Sequence, residues 1–313
     1  MLYFFKNMKT LFSAPKEMFD NIQLENLENK IQEIIDYKNK WNILKHSVDK
    51  KTYKKIIKEM KIYFVYFTCQ GENIGSKNWE ETQKIISQQE TNQFQTLTKD
   101  QKETLNLSKA WDYIYKIIIE KENLGLLTIA WLQEIHKVCM HDILPKGSTE
   151  AGKFSFYLRS TWYNEKEHFY PCFSSNEEWE ENVLRIFDKY NPMIELIKKD
   201  LKQNDSLAIS RFLKCSAWVM EKILSLHPFA DGNGRTCRLL IAYSMLIINP
   251  FPVPIYDEHL SFIDSIVKAR QGNLQELISL ILNSLLTTYK YFFSLLALHK
   301  CNNGEPMCAA DCR

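Results

Sequence analysis

The sequence predicts a mainly α protein, an orthogonal helical bundle carrying one β-hairpin. Three observations point there. Only nine glycines and nine prolines occur in 313 residues, too few punctuators for an all-β design. Apolar residues recur at helical spacing through most of the chain. One segment breaks the pattern: Phe154–Tyr170 is rich in Phe, Tyr, Trp and Ser around a polar turn, Asn164 to Glu167, and reads as paired strands.

The elements follow in order. Residues 17–49 are polar and amphipathic, with Ile31, Ile34 and Ile35 on one face. From Tyr53 to Phe67 the chain is densely apolar, and a helix ending near Asn73 is expected. A further helix starts near Asn78, and residues 88–101 form a Gln-rich polar connection. Helical periodicity resumes over Leu105–Lys121 and Thr128–Cys139, with Thr128 as N-cap. After the hairpin, helices are expected over Glu177–Tyr190, Leu207–Leu226 and Thr236–Ile248, the last stopped by Pro250, Pro252 and Pro254. Residues 258–270 and 274–298 complete the bundle.

Composition narrows the class. Apolar residues make up 45% and charged residues 25%, and 40 basic residues against 38 acidic leave a net charge of +2. Such a balance gives no whole-protein field for nucleic acid. No run of about 18 apolar residues suggests a membrane span, and the start of the chain lacks the apolar stretch of a signal peptide. A cytoplasmic location is the expectation. Cys69, Cys139, Cys172, Cys215 and Cys237 are scattered singly and read as reduced, mostly core residues. Cys301, Cys308 and Cys312 crowd a polar tail with no nearby His, a poor zinc site. His136 and His141 are five apart and read as core or surface residues, not ligands.

The chemistry concentrates in His227-Pro-Phe-Ala-Asp-Gly-Asn-Gly-Arg-Thr-Cys-Arg238. Pro228 ends the helix that delivers His227. Asp231-Gly232-Asn233-Gly234 makes a tight loop in which backbone N–H groups point together, and a helix follows at once. A nest of N–H groups at a helix N-terminus is an anion site. Arg235 and Arg238 lie on one face of the first turn, where the helix dipole disfavours cations unless an anion is present. Asp231 supplies the hard oxygen that Mg²⁺ takes on nucleotide phosphates. His227 can deprotonate a hydroxyl at neutral pH. Phe229 reads as an anchor packing under the loop. Base, metal ligand, phosphate nest and arginines together describe phosphoryl or nucleotidyl transfer.

The same stretch resembles the Fic signature, His-x-Phe-x-Asp/Glu-Gly-Asn-Gly-Arg-x-x-Arg, at every specified position. Ala151-Gly-Lys-Phe154 is similar to the Ala-Gly-x-Phe that opens that family's flap hairpin, with Ser155 where members often have Arg. The resemblance covers roughly residues 105–298 and implies a Fic-type bundle with a flap. It implies a protein adenylyltransferase using ATP and Mg²⁺, with His227 as general base and Asp231 holding the metal. Gly232, Asn233 and Gly234 would form the anion hole, Arg235 would contact phosphate and Arg238 the γ-phosphate. Upstream, Thr68-Cys-Gln-Gly-Glu-Asn73 is similar to the family's inhibitory pattern, Ser/Thr-x-x-x-Glu-Gly/Asn. Thr68 and Glu72 are one helical turn apart, Asn73 can adopt the left-handed stop, and Glu72 sits at the negative end of its helix. Its partner under the resemblance is Arg238, and Gly71 stands where an apolar residue is common.

The expected organisation is an N-terminal helical region (1–104) carrying the inhibitory helix (about 53–73), a Fic catalytic domain (105–298) and a flexible tail (299–313). Partners under the resemblance are protein substrates docking on the hairpin (about 154–170), with automodification and a homodimer as further expectations, and neither nucleic acid nor membrane. Three rivals are a deAMPylase using the same site, a non-catalytic nucleotide-binding scaffold, and a helical nucleic-acid binder that lacks any basic core face.

Overall fold

The computed structural model describes residue 24 and residues 27–91, 97–120, 124–201, 205–256 and 259–302. The Gln-rich stretch at 92–96 and the tail from 303, with Cys308 and Cys312, lie outside them.

Among the described residues, the N-terminal region holds three helices: α1 (Glu28–Leu44), α2 (Lys50–Glu72) and α3 (Trp79–Thr91). Asp49 starts α2, its carboxylate accepting from the N–H groups of Lys51 and Thr52 at 2.9 and 3.0 Å. Asn73 ends it at φ 52°, ψ 42°, and the N–H of Ile74 reaches back to Cys69 O at 3.0 Å. This left-handed terminator closes the orphan carbonyls of the last turn.

Next come α4 (Lys99–Glu120) and α5 (Ile129–Cys139). Helix α4 begins six residues earlier than the apolar pattern indicates. Thr98 and Gln101 cap one another, Oγ1 accepting from Gln101 N at 3.3 Å and Oε1 from Thr98 N at 3.1 Å, so a polar stretch becomes a helix start. Thr128 caps α5 as expected, accepting from Trp131 N at 3.1 Å.

The hairpin is shorter than its aromatic composition suggests. Strands β1 (Ser160–Tyr163) and β2 (Lys166–Phe169) pair antiparallel, Ser160 opposite Phe169 and Tyr163 opposite Lys166. Asn164 and Glu165 turn the chain at φ 48° and 59°, the conformation of a two-residue primed turn. Residues 154–158 do not pair, and the cross-strand bonding ends at Arg159 O, which accepts from Tyr170 N at 2.9 Å. Phe154 is buried, and Ser155 N donates to Pro228 O at 2.9 Å, so this segment clamps onto the loop after His227.

Five helices complete the bundle: α6 (Asn176–Asp200), α7 (Asp205–Leu226), α8 (Asn233–Ser244), α9 (His259–Arg270) and α10 (Gln275–Asn302). A single 3₁₀ turn, Met245–Ile247, follows α8. Helix α6 runs on past Tyr190 and through Pro192, because Ile194 and Ile197 continue its buried stripe. Helix α8 starts at Asn233, not Thr236: Gly232 O already accepts from the backbone N and the Oγ1 of Thr236, at 2.9 and 2.8 Å. Helix α10 continues past residue 298 to Asn302.

Helix α7 is the axis, touching α1, α6, α8, α9 and α10. It carries Phe212, Leu213, Trp218 and Ile223 into the core. Helix α10 is long and apolar enough to cross a membrane by length and composition, but 61% of that window is buried inside the fold. It packs on α1, α2, α7 and α9 and is a core helix here. Cys69, Cys139, Cys215 and Cys237 are buried free thiols and Cys172 is partly exposed.

Because Trp218 is fully buried on the axis, Trp218→Ala should cost about 3–5 kcal/mol. Urea denaturation followed by circular dichroism measures it, and a cost below about 1 kcal/mol would contradict a central α7.

Candidate functional site

The site forms where α7 ends and α8 begins. His227 N still donates to Ile223 O at 2.8 Å, but His227 itself turns left-handed at φ 52° and Pro228 prevents any further turn. Such backbone costs of order 1–3 kcal/mol in a non-glycine residue and persists only when its surroundings hold it. Three contacts hold it. The Arg159 guanidinium donates to the carbonyls of His227, Phe229 and Pro171. The Tyr170 ring stacks on the imidazole at 3.7 Å and 11°. Nδ1 donates to Leu224 O at 3.3 Å, which leaves the Nε2 lone pair as the acceptor. Burial first, then the nearby charges of Arg159 and Arg270, pull the imidazole down to about 3, so it is neutral at physiological pH.

The loop is built on Phe229, fully buried between His136 (3.7 Å, 7°) and Phe154 (5.7 Å, 30°). It is the anchor that the sequence suggests. His136 does a second task. Its Nδ1 accepts from Gly152 N at 2.8 Å, so Nε2 carries the proton and donates to Asp231 O at 2.9 Å. Burial lowers this ring to about 4, keeping it neutral in that tautomer. His136 therefore ties the base of the hairpin to the loop as a core residue, while His141 is exposed beside Asp142.

Asn233 closes the loop from within. Its amide donates to Phe229 O at 2.9 Å and accepts from Phe229 N at 3.0 Å. Its side chain is thus spent on the fold, and only its backbone N–H remains for an anion. Gly232 sits at the N-cap with φ 74°, and a Cβ there would collide with the Met140 side chain. With no side-chain cap on α8, its first N–H groups are left to an anion. Asp231 lies at the rim with its carboxylate 60% exposed, Oδ1 accepting from Gly232 N at 2.6 Å.

The two arginines part company. Arg235 is almost wholly buried, 3.5 Å from Glu103 Oε1 and 3.7 Å from Asp231 Oδ2, and its Nη1 has no hydrogen-bond partner. Arg238 lies under the helix terminus with every nitrogen engaged. Nε donates to Glu72 Oε1 at 2.6 Å, Nη2 to Gly71 O at 3.0 Å and Nη1 to Ile255 O, while the guanidinium covers the Phe262 ring at 4.0 Å. Glycine at 71 permits this, since a Cβ there would stand 3.1 Å from Nη1. The Glu72 carboxylate rests against the first turn of α8: a Cβ on Gly234 would meet its two oxygens at 2.7 and 2.8 Å. A carboxylate from the end of α2 thus lies on the anion-binding end of α8. Thr68, one turn earlier, is buried and its hydroxyl has no partner.

Sequence reasoning brings together His227, Asp231, Gly232, Asn233, Gly234, Arg235, Arg238, Glu72 and Asn73, and the fold does gather them. It missed Arg159, Tyr170 and Glu103, which position others across long stretches of chain and carry no local signal. A metal fits the rim modestly. Among the described residues no group of three or more His, Cys, Asp or Glu could hold one. The exposed Asp231 carboxylate beside an N–H nest suits a cation shared with a bound phosphate.

Known proteins resemble this chain. The Fic/DOC family profile matches residues 126–245. A Fido domain-containing protein of Dictyostelium discoideum is 30% identical over 144 residues, 44% of this chain and 93% of that protein. The protein adenylyltransferase Fic of Nematostella vectensis is 27% identical over 185 residues, 57% of this chain and 36% of that one. The match spans 28%, 36% and 14% of three curated relatives, so much of each lies beyond it. The solved structure of Fic-1 from C. elegans superposes with a TM-score of 0.63 at 18% identity, covering 88% of this chain and 74% of that one, which speaks for the fold alone. The chain belongs to the Fic/DOC family.

Proposed function

We propose that the chain is a protein adenylyltransferase that moves AMP from ATP to a hydroxyl side chain of a target protein, and that Glu72 restrains it. The observation that carries this reading is the place of the Glu72 carboxylate. It rests on the uncapped start of α8 and on Arg238, where the anionic end of a nucleotide would bind. A site that accepts a carboxylate there has the electrostatics for phosphate.

In this reading the first N–H groups of α8, from Asn233, Gly234 and Arg235, cradle the phosphates. Arg238 takes the γ-phosphate once Glu72 leaves. His227 Nε2 accepts the proton of the target hydroxyl as its oxygen bonds to the α-phosphorus. The bond from that phosphorus to pyrophosphate breaks, and pyrophosphate carries away the electron pair. Asp231 would hold Mg²⁺, which when bound neutralises phosphate charge. Arg159, Tyr170 and the Leu224 carbonyl keep the imidazole in one orientation and one tautomer. Target proteins would dock on the hairpin, whose Trp162 is 71% exposed. A second reading draws on the same carboxylate: Glu72 beside the phosphate nest could orient a water, and the enzyme would then remove AMP from a modified protein.

Glu72→Gly should raise automodification and target labelling from radiolabelled ATP by at least about tenfold, whereas Arg238→Ala should abolish labelling. Glu72 competes for a guanidinium the γ-phosphate needs, so the two losses act in opposite directions. Labelling by Glu72→Gly at or below wild type, in protein folded by circular dichroism, would rule out restraint by Glu72. A gain in labelling with loss of AMP removal from a pre-modified target would favour the second reading.

His227→Ala should lower transfer by about 10²–10⁴-fold with ATP binding retained. Because the ring is held well below the usual histidine range, the neutral, proton-accepting form persists as pH falls. Transfer by Glu72→Gly should therefore hold level from about pH 8 to 5.5, where an ordinary imidazole base would fail below about 6.5. A rate that tracks an apparent pKa near 6.5 would contradict the His227 environment.

Asp231→Ala should remove the dependence on Mg²⁺ together with transfer. A Mg²⁺ titration of the variant showing saturable activation like that of wild type would exclude Asp231 as the metal ligand.

A further inference from the structure

A cavity of about 300 Å³ opens between the hairpin and α9, and His227 is part of its wall. Trp162 and Tyr170 line it from the hairpin, and Phe262, Ile266 and Arg270 from α9. The Tyr163 hydroxyl donates to the Asp264 carboxylate and ties the hairpin tip to α9 over this space. Its size lies at the lower end for ligand sites, room for one side chain and not for a nucleotide. Resting on the adenylyl-transfer reading, we propose that this cavity receives the phenol ring of a tyrosine on the target protein and presents its hydroxyl to His227.

Three observations select a phenol over an aliphatic hydroxyl. The walls are largely aromatic and branched-aliphatic, with Leu224, Ile263 and Val267 adding to those above. A serine or threonine side chain would leave most of that surface uncovered, whereas an aromatic ring buries about 150–250 Å². The charge around the base is one-sided. Arg270 lines the cavity and stands over the Tyr170 ring at 5.5 Å, and Arg159 bonds the His227 carbonyl. Two guanidinium groups beside the base favour an acceptor oxygen that readily takes on negative charge. Lastly, the same burial and charges make His227 a weak base. A phenol, with pKa near 10, gives up its proton far more readily than an alcohol.

The step balances as a nucleotidyl transfer. The phenolic oxygen bonds to the α-phosphorus, the bond to pyrophosphate breaks, and the phenolic proton passes to His227 Nε2. The product is a tyrosine–AMP phosphodiester.

The test has two arms. In the first, the His ring signals of the full chain are followed by NMR while N-acetyltyrosine amide, N-acetylserine amide or N-acetylthreonine amide is added. The tyrosine probe should shift the His227 ring saturably, at concentrations at least about tenfold below either aliphatic probe. Ile266→Trp, and separately Val267→Phe, should block that shift. Equal effects of the three probes, or no shift by the tyrosine probe, would overturn the proposal. In the second arm, Glu72→Gly is incubated with ATP and a cell lysate, and AMP adducts are mapped by mass spectrometry. Adducts on tyrosine support the proposal. Adducts on serine or threonine overturn it and leave adenylyl transfer standing. No adduct at all counts against adenylyl transfer itself, and the binding arm then decides what the cavity accepts.

Discussion

One carboxylate orders the site. Glu72 is the last residue of α2, where the helix dipole presents negative charge and an acidic side chain is disfavoured. It lies against Gly234 at the start of α8, where the dipole presents positive charge, and it bonds Arg238 at 2.6 Å. An unfavourable helix end and a favourable one are thereby joined. Much of the N-terminal region serves this meeting. Asn73 stops α2 at the right residue, and Gly71 lets the guanidinium approach the backbone. Lys61, buried in the middle of α2, binds Asp112 of α4 at 2.7 Å and fixes the helix along its length. Burying a charge pair is costly unless its remaining donors are satisfied. Here Gly71 O and Ile255 O take one donor from each Nη.

The loop between α7 and α8 is held by a different strategy. Its residues bond one another or the core, and little is left to solvent. Asn233 bridges both polar groups of Phe229, His136 fixes the Asp231 carbonyl, and Arg159 gathers three carbonyls around the left-handed His227. What stays uncommitted is what an anion and a hydroxyl would need: the first N–H groups of α8 and the Nε2 lone pair, with the Asp231 carboxylate open at the rim. Preorganisation of that kind lets donors act without rearranging when charge develops. The buried Nη1 of Arg235 has no hydrogen-bond partner and stands 3.5 Å from Glu103 Oε1.

Much of this was legible in the sequence because it is local. A Gly-Asn-Gly-Arg run after His-Pro dictates a loop at a helix start, and Thr68-to-Asn73 dictates a helix end with one acidic residue in its last turn. The ends of α4, α6 and α8 were misplaced where polar capping overrode apolar periodicity, as at Thr98 and Gln101, or where buried residues carried a helix through Pro192. The supports were not legible at all. Arg159 reaches 68 residues to His227, and His136 reaches 95 to Asp231. No spacing rule connects such pairs, since only the packed fold makes them neighbours. Nor could aromatic richness at 154–170 distinguish paired strands from the segment at 154–158, which instead clamps the loop.

The geometry also bounds how Glu72 can be displaced. Arg238 spends one donor of each nitrogen on Glu72, Gly71 O and Ile255 O, and of these partners Glu72 is the anion that a γ-phosphate would replace. The last two are backbone acceptors fixed by α2 and by the segment before α9, and only Glu72 offers a side chain that can rotate away. It stands in the final turn of its helix, and terminal turns open at low free-energy cost compared with a helix interior. The rest of α2 is held by its buried stripe and by Lys61, so this turn can yield while the helix stays docked. A nucleotide that binds only the opened form has its apparent affinity reduced by the fraction of molecules in that form. On the proposed reading, the strength of restraint would be set by the Glu72–Arg238 contact and its terminator, residues 68–73, and not by the stability of the whole bundle. A small set of contacts at one helix end would govern nucleotide access while the catalytic loop behind it remains unchanged.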